Sequence, residues 1–183
     1  MNSKKKRLLL DCDGVLSDFV YHVVELSNQL FGLNITEDHF RIYDISKTVP
    51  PDVYVRLCEE FCKPGFCASM RAYPDSFEAV RRARELADTY IVTQPYPSQT
   101  WVSERYAWLR DNFGIGPKNI VFLDSKHIVK GDVFVDDKPG HVRQWQEHHP
   151  EGKAFLWAQP YNKGEEGLHR TSNWEDIFEA LSV

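Results

Sequence analysis

No apolar run in the chain approaches the ~20 residues that a membrane-spanning helix needs. The basic start Lys4-Lys5-Lys6-Arg7 leads only into Leu8-Leu9-Leu10 before Asp11, too short a stretch for an anchor or a signal peptide, and it is expected to be a solubilising end. Cysteine is sparse. Of the four, Cys12 stands between two aspartates, while Cys58, Cys62 and Cys67 crowd into one segment with no CxxC pair and no evident fourth ligand. That spacing argues against zinc and against a disulfide framework, so the thiols are expected to be reduced and the protein cytoplasmic. Positive charge is short as well: 22 lysines and arginines face 27 acids, a net charge of −5. This is the wrong sign for gripping a long nucleic acid by its phosphates and leaves a small charged molecule as the partner to expect. Internal repeats, low-complexity tracts and flexible linkers are absent too.

What is present suffices for a real core. With 183 residues, 42% of them hydrophobic, the chain fits one domain, or one domain carrying an insertion. Five strand-length apolar runs stand out: 8–10, 90–93, 120–123, 133–135 and 154–157. None alternates with polar residues, the pattern of strands buried on both faces of a parallel sheet. Helical periodicity lies between them, over 76–88 (Phe77, Val80, Ala83, Leu86), 98–112 (Trp101, Val102, Tyr106, Leu109) and 142–148. A last helix over 174–181 has Ser172 or Asn173 as its cap. This alternation predicts an α/β doubly wound parallel sheet. Residues 19–71 interrupt it. Helical patterns over 21–31 (Val23, Val24, Leu26, Leu30) and, after Pro50-Pro51, over 52–61 (Val53, Val55, Leu57, Phe61) predict a small helical cap inserted after the first strand. The core is then 1–18 with 72–183, and the cap 19–71.

Ligands of a parallel sheet bind beyond the carboxyl ends of its strands. The residues following the first four runs there are Asp11-Cys12-Asp13-Gly14, Thr93, Asp124-Ser125-Lys126 and Asp136-Asp137-Lys138. Carboxylates gathered in one crevice repel one another unless a cation compensates them, and oxygen-only ligands imply Mg²⁺. Asp11 and Asp13, two apart on an extended segment, project to one side, so one can attack while the other moves protons. Gly14 permits a sharp turn, Thr93 offers a hydroxyl to a phosphoryl oxygen, and Lys126 adds positive charge. A carboxylate nucleophile, a carboxylic acid, a metal and a lysine together suit phosphoryl transfer through an aspartyl phosphate.

Asp11-Cys12-Asp13-Gly14-Val15 after a hydrophobic strand, Thr93 ending Ile-Val-Thr, Lys126 and the pair Asp136-Asp137 resemble the four motifs of the haloacid dehalogenase-like superfamily. The stretches 11–19, 64–66 with 73–75, 92–95 and 134–139 are similar to its 5′(3′)-deoxyribonucleotidase branch. The resemblance implies a Rossmann-like core and a Mg²⁺-dependent phosphatase acting on a nucleoside or deoxynucleoside monophosphate. It makes Asp11 the nucleophile and Asp13 the general acid/base. Asp11, the Asp13 backbone carbonyl and the Asp136-Asp137 pair would hold Mg²⁺, Asp137 directly and Asp136 through water. Thr93 and the Gln94 amide would hold the phosphate and Lys126 would neutralise it. Phe19, Tyr43 and Phe66 would face the nucleoside. The chain departs from the branch at Gln94, where Ser or Ala is common, and at Lys138, where arginine is. Asp13 itself argues against dehalogenation, because halide departure needs no protonating acid.

Other readings of the same residues are a phosphatase for a different small substrate, such as a sugar phosphate, or a noncatalytic binding protein. Lys130 competes with Lys126 and is expected to be a solvated charge. Trp101, Tyr106 and Trp108 are expected to pack, and His141, His148 and His149 to be solvated. The segment 159–170 reads equally as a lid or as a surface loop.

Overall fold

The computed structural model describes residues 5–182; residues 1–4 and 183, with Lys4 of the basic lead-in, lie outside them. Six parallel strands, β1 (Arg7–Leu10), β2 (Asp88–Thr93), β3 (Ile120–Phe122), β4 (Val133–Asp136), β5 (Lys153–Trp157) and β6 (His169–Thr171), form one sheet in the order β3-β2-β1-β4-β5-β6. The order reverses at β1, which puts the switch-point crevice of a doubly wound sheet beside Asp11. α3 (Ser76–Leu86), α4 (Trp101–Phe113), α5 (Pro139–His148) and α6 (Trp174–Ser182) complete the α/β layers, and Leu8, Leu9 and Leu10 are all fully buried between them.

The sixth strand lies partly in the segment expected to be a lid or loop. His169, Arg170 and Thr171 carry no apolar run because β6 is a short edge strand with its first two residues exposed. The helical stripes also shift. On α3 the buried residues are Ser76, Ala79, Val80 and Ala83, whereas Phe77 and Leu86 are exposed. The small residues let α3 lie close to its neighbours. On α4 the buried stripe is Trp101, Arg105, Trp108, Leu109 and Phe113, with Val102 outside. Asn173 rather than Ser172 caps α6: its side chain accepts the Glu175 amide at 3.1 Å.

The inserted residues contribute α1 (Phe19–Phe31), α2 (Pro51–Phe61) and short 3₁₀ turns, but no strand. Their buried faces, Val20 and Val23 on α1 and Val53, Leu57 and Phe61 on α2, gather with Phe40, Val49, Cys67 and Met70 into a hydrophobic cluster distinct from the sheet's; Leu30 and Val55 stay exposed. The neck of the insertion is pinned. Asp18, the N-cap of α1, accepts the Tyr21 amide at 3.1 Å and the Arg71 guanidinium at 2.5 and 3.0 Å, and its own amide donates to the Arg71 carbonyl. The chain therefore leaves and re-enters the core at one place.

Candidate active site

The turn after β1 is tight: the Cys12 carbonyl accepts the amides of Val15, Leu16 and Ser17 at 3.3, 2.7 and 2.9 Å. Gly14 has φ +77°, and a Cβ there would run into the Asp137 carboxylate and the Tyr161 hydroxyl, so only glycine fits. Asp11 is buried, and its Oδ1 accepts the Cys12 amide at 2.6 Å. Lys126, only 1% exposed, lies between Asp11 Oδ2 and Asp136 Oδ2, each 2.7 Å from Nζ. Both oxygens of Asp136 are engaged, Oδ1 by the Lys138 amide at 2.8 Å and Oδ2 by Lys126 and His141 Nδ1, the latter at 3.1 Å. Asp137 differs: its Oδ2 accepts the Tyr161 hydroxyl, while its buried Oδ1 has no partner among the described residues.

Asp11, Asp136 and Asp137 each offer an oxygen within 4.8 Å of the others. Asp124, although it follows β3, stays exposed outside this group, and its carboxylate lies 3.6 Å from His141 Nε2. Burial pushes Asp11 up to about 7, with Asp136 adding to the push and Lys126 opposing it. Burial would also raise Asp136, but Lys126 and His141 hold it at about 2. Asp137 is driven well above the carboxylate range by burial and by Asp136 and Asp11. Burial lowers Lys126, yet the two carboxylates keep it above its ordinary value. One ammonium for three buried carboxylates leaves the cluster short of positive charge. A divalent cation of the oxygen-preferring class fits the donor set and the unpartnered Asp137 Oδ1.

Of these groups Asp11, Lys126 and His141 line a cavity of about 480 Å³, together with Asp13, Thr93 and Gln94. The Thr93 hydroxyl is buried and has no hydrogen-bond partner among the described residues, as suits a group waiting for a ligand oxygen. Phe19 and Tyr43 stand in the wall, but Phe66 does not. It packs against Phe19, Phe61 and Trp101, with centroids 5.0–6.3 Å away, so Phe61 and Trp101 present the wall instead. Trp101, expected only to pack, is thus a cavity residue, as is Tyr96. His141 is buried rather than solvated, and Lys130 is exposed far from the carboxylates, beside a separate cavity of about 210 Å³ near Arg7.

Arg105 escaped the sequence reading. It is fully buried, with Nη2 2.6 Å from Asp13 Oδ1 and Nη1 3.1 Å from Cys12 Sγ, and its guanidinium lies between the Trp101 and Trp108 rings. Ser17 Oγ donates to the same Asp13 oxygen at 2.5 Å, leaving Oδ2 as the freer oxygen of Asp13. The available signal was an arginine within an otherwise apolar stripe, since Trp101, Arg105, Trp108 and Leu109 share one helix face. Arg105→Met is expected to cost about 3 kcal/mol of stability by stranding the Asp13 carboxylate, and urea denaturation checks this. A loss within experimental error would make the ion pair ornamental.

A family model for the deoxy (pyrimidine) cytosolic type C 5′-nucleotidases matches residues 5–183 of this chain. The chain is 28% identical over 175 residues to a Staphylococcus epidermidis protein provisionally named a 5′(3′)-deoxyribonucleotidase, covering 94% of each. It is 26% identical over 199 residues to the human 5′(3′)-deoxyribonucleotidase of cytosolic type, covering 97% of this chain and 96% of the human one. Among solved structures, a magnesium-bound haloacid dehalogenase-type hydrolase from Bacillus subtilis superposes with a TM-score of 0.60 at 13% identity, covering 99% and 100% of the two chains. That likeness bears on the fold.

Proposed function

Because the chain belongs to the deoxy (pyrimidine) cytosolic type C 5′-nucleotidase family, phosphomonoester hydrolases of the haloacid dehalogenase fold, we propose that it hydrolyses deoxynucleoside monophosphates with Mg²⁺ through a covalent intermediate on Asp11. One observation carries the reading: Asp11, Asp13, Thr93 and Lys126 line a cavity whose walls also carry the aromatic rings of Phe19, Tyr43, Tyr54, Phe61, Tyr96 and Trp101. A phosphate and a flat, apolar base are what such a cavity accommodates together. Residues 1–18 and 72–183 are the catalytic core and 19–71 the cap that supplies Phe19, Tyr43 and Phe61. No helix among the described residues is long and apolar enough to cross a membrane, and the proposed setting is the cytoplasm.

Asp11 Oδ attacks phosphorus, forming an acyl phosphate as the bond to the nucleoside oxygen breaks. Asp13 gives that oxygen its proton and then takes one from the water that attacks the intermediate, which frees inorganic phosphate and Asp11. Arg105 and Ser17 hold Asp13 by Oδ1, so Oδ2 is the oxygen that carries the proton. The Thr93 hydroxyl and the Gln94 amide hold the transferred phosphoryl oxygens, and Lys126 fixes the charge of Asp11 beside them. Asp11, Asp137 and the Asp13 carbonyl would hold Mg²⁺, with Asp136 acting through water because its own oxygens are already bonded. When bound, Mg²⁺ supplies positive charge against the phosphoryl oxygens.

Phosphate release across a panel of ribo- and deoxynucleoside monophosphates and sugar phosphates, with Mg²⁺ and with EDTA, tests this. The expected result is Mg²⁺-dependent turnover of deoxynucleoside monophosphates above all others. Turnover of sugar phosphates alone would keep the chemistry and refute the substrate, and no turnover of any ester would refute both.

A further inference from the structure

Between β5 and β6 the chain makes a short 3₁₀ turn, Pro160–Asn162, whose side chains reach both halves of the carboxylate site. Tyr161 donates its hydroxyl to Asp137 Oδ2, and Asn162, 1% exposed, donates Nδ2 to the Asp137 carbonyl at 2.8 Å and to the Trp157 carbonyl at 2.7 Å. Gln159 donates Nε2 to the Gly14 carbonyl at 2.6 Å, on the turn that carries Asp11 and Asp13. The turn is itself locked: Asn162 Oδ1 accepts the Gln159 amide and Arg170 Nε, both at 2.9 Å. It also meets the inserted segment, where the Tyr43 ring stands edge-on to Tyr161 with centroids 5.7 Å apart.

We propose that Gln159, Tyr161 and Asn162 form a brace that sets the distance and orientation of the cation ligands, with Tyr161 as the positioning residue for Asp137. This rests on the Mg²⁺ reading above. A carboxylate free to rotate presents its oxygens in many directions, and a ligand must freeze that rotation before it gains the bond. The Tyr161 hydroxyl holds Oδ2 and so commits Oδ1, the oxygen without a partner, to the interior of the cluster. The Asn162 bond fixes the backbone beneath the carboxylate, and the Gln159 bond ties that assembly to the Gly14 turn opposite. Gly14 in turn lies so close to Asp137 and Tyr161 that a Cβ there would meet both side chains. Outer partners of this kind typically hold about 10–100-fold of a site's metal affinity.

The test is calorimetric titration of Mg²⁺ into the substrate-free protein, wild type and Tyr161→Phe, with thermal unfolding in EDTA as a check of the fold. Tyr161→Phe keeps the ring against Tyr43 and removes only the donor. The expected result is an affinity about tenfold weaker with an EDTA melting temperature close to wild type. Gln159→Leu, which severs the other jaw, is expected to weaken Mg²⁺ binding in the same direction and serves as the reading if Tyr161→Phe does not fold. Mg²⁺ affinity unchanged from wild type in the folded variants would reduce the turn to packing and overturn the proposal. Absence of Mg²⁺ binding by the wild type would instead overturn the cation reading, and this proposal with it.

Discussion

Asp11→Asn is expected to lower kcat on the best deoxynucleoside monophosphate by about 10⁴-fold or more while leaving the fold in place. The amide has no charge with which to attack phosphorus, and none of the other buried carboxylates is free to replace it. Asp136 has both oxygens bonded, and Asp137, tied to Tyr161 at Oδ2, would give its remaining oxygen to the cation. Stability should change little, because two effects oppose each other. Burial pushes the Asp11 carboxyl up to about 7 from near 3.8, so the folded state disfavours its ionisation, and that cost accumulates as pH rises from 4 to 7. The amide escapes it but loses the ion pair with Lys126, so the variant should unfold near the wild-type temperature. A variant that folds and turns over at a rate near wild type would contradict the mechanism.

Lys126→Met carries the second large effect. The ammonium touches both Asp11 and Asp136, and each contact is 2.7 Å inside a buried site. Removing one partner of such a group leaves charge stranded, a loss of about 3–5 kcal/mol. The pH dependence identifies the cause. Without the lysine, Asp11 and Asp136 hold their protons more tightly folded than unfolded, so protonation compensates at low pH. The deficit therefore shrinks as pH falls toward about 2, where the wild-type Asp136 takes up its own proton, and grows toward neutrality. Urea denaturation at about pH 5 and about pH 8 should show the larger loss at the higher pH, and added Mg²⁺ should recover part of it. An equal loss at both would mean that the lysine's packing, not its charge, is what matters.

Strand ends were legible because each functional residue follows its apolar run directly, and a parallel sheet brings such ends together. Asp11, Thr93 and Asp136-Asp137 are placed by this rule alone, and Lys126 by its position two residues further along. Arg105, His141 and Tyr161 obey no such rule. Arg105 and His141 are buried and Tyr161 is half-buried, each in a segment that reads as a surface helix or loop; His141 meets Asp136 only across the turn from β4 into α5, while Arg105 is 92 residues from Asp13 and Tyr161 is 24 from Asp137. Pairings at that separation exist only once the sheet has formed. The aromatic wall was half legible for a related reason. The family resemblance points to Phe19, but whether Phe61 or Phe66 faces the cavity depends on how the insertion folds back over the sheet. The edge strand β6 lacks the apolar signal because one of its sides has no neighbour to bury it.

The central claim is that the phosphoryl group passes through Asp11. Acid-quenching a turnover mixture of the wild-type enzyme, deoxynucleoside monophosphate and Mg²⁺, then mapping the digested protein by mass spectrometry, tests it most directly. The account predicts one phosphoryl group on the peptide that carries Asp11, absent from Asp11→Asn. Phosphate released at the wild-type rate with that peptide unmodified throughout, or the group found on another side chain, would contradict it.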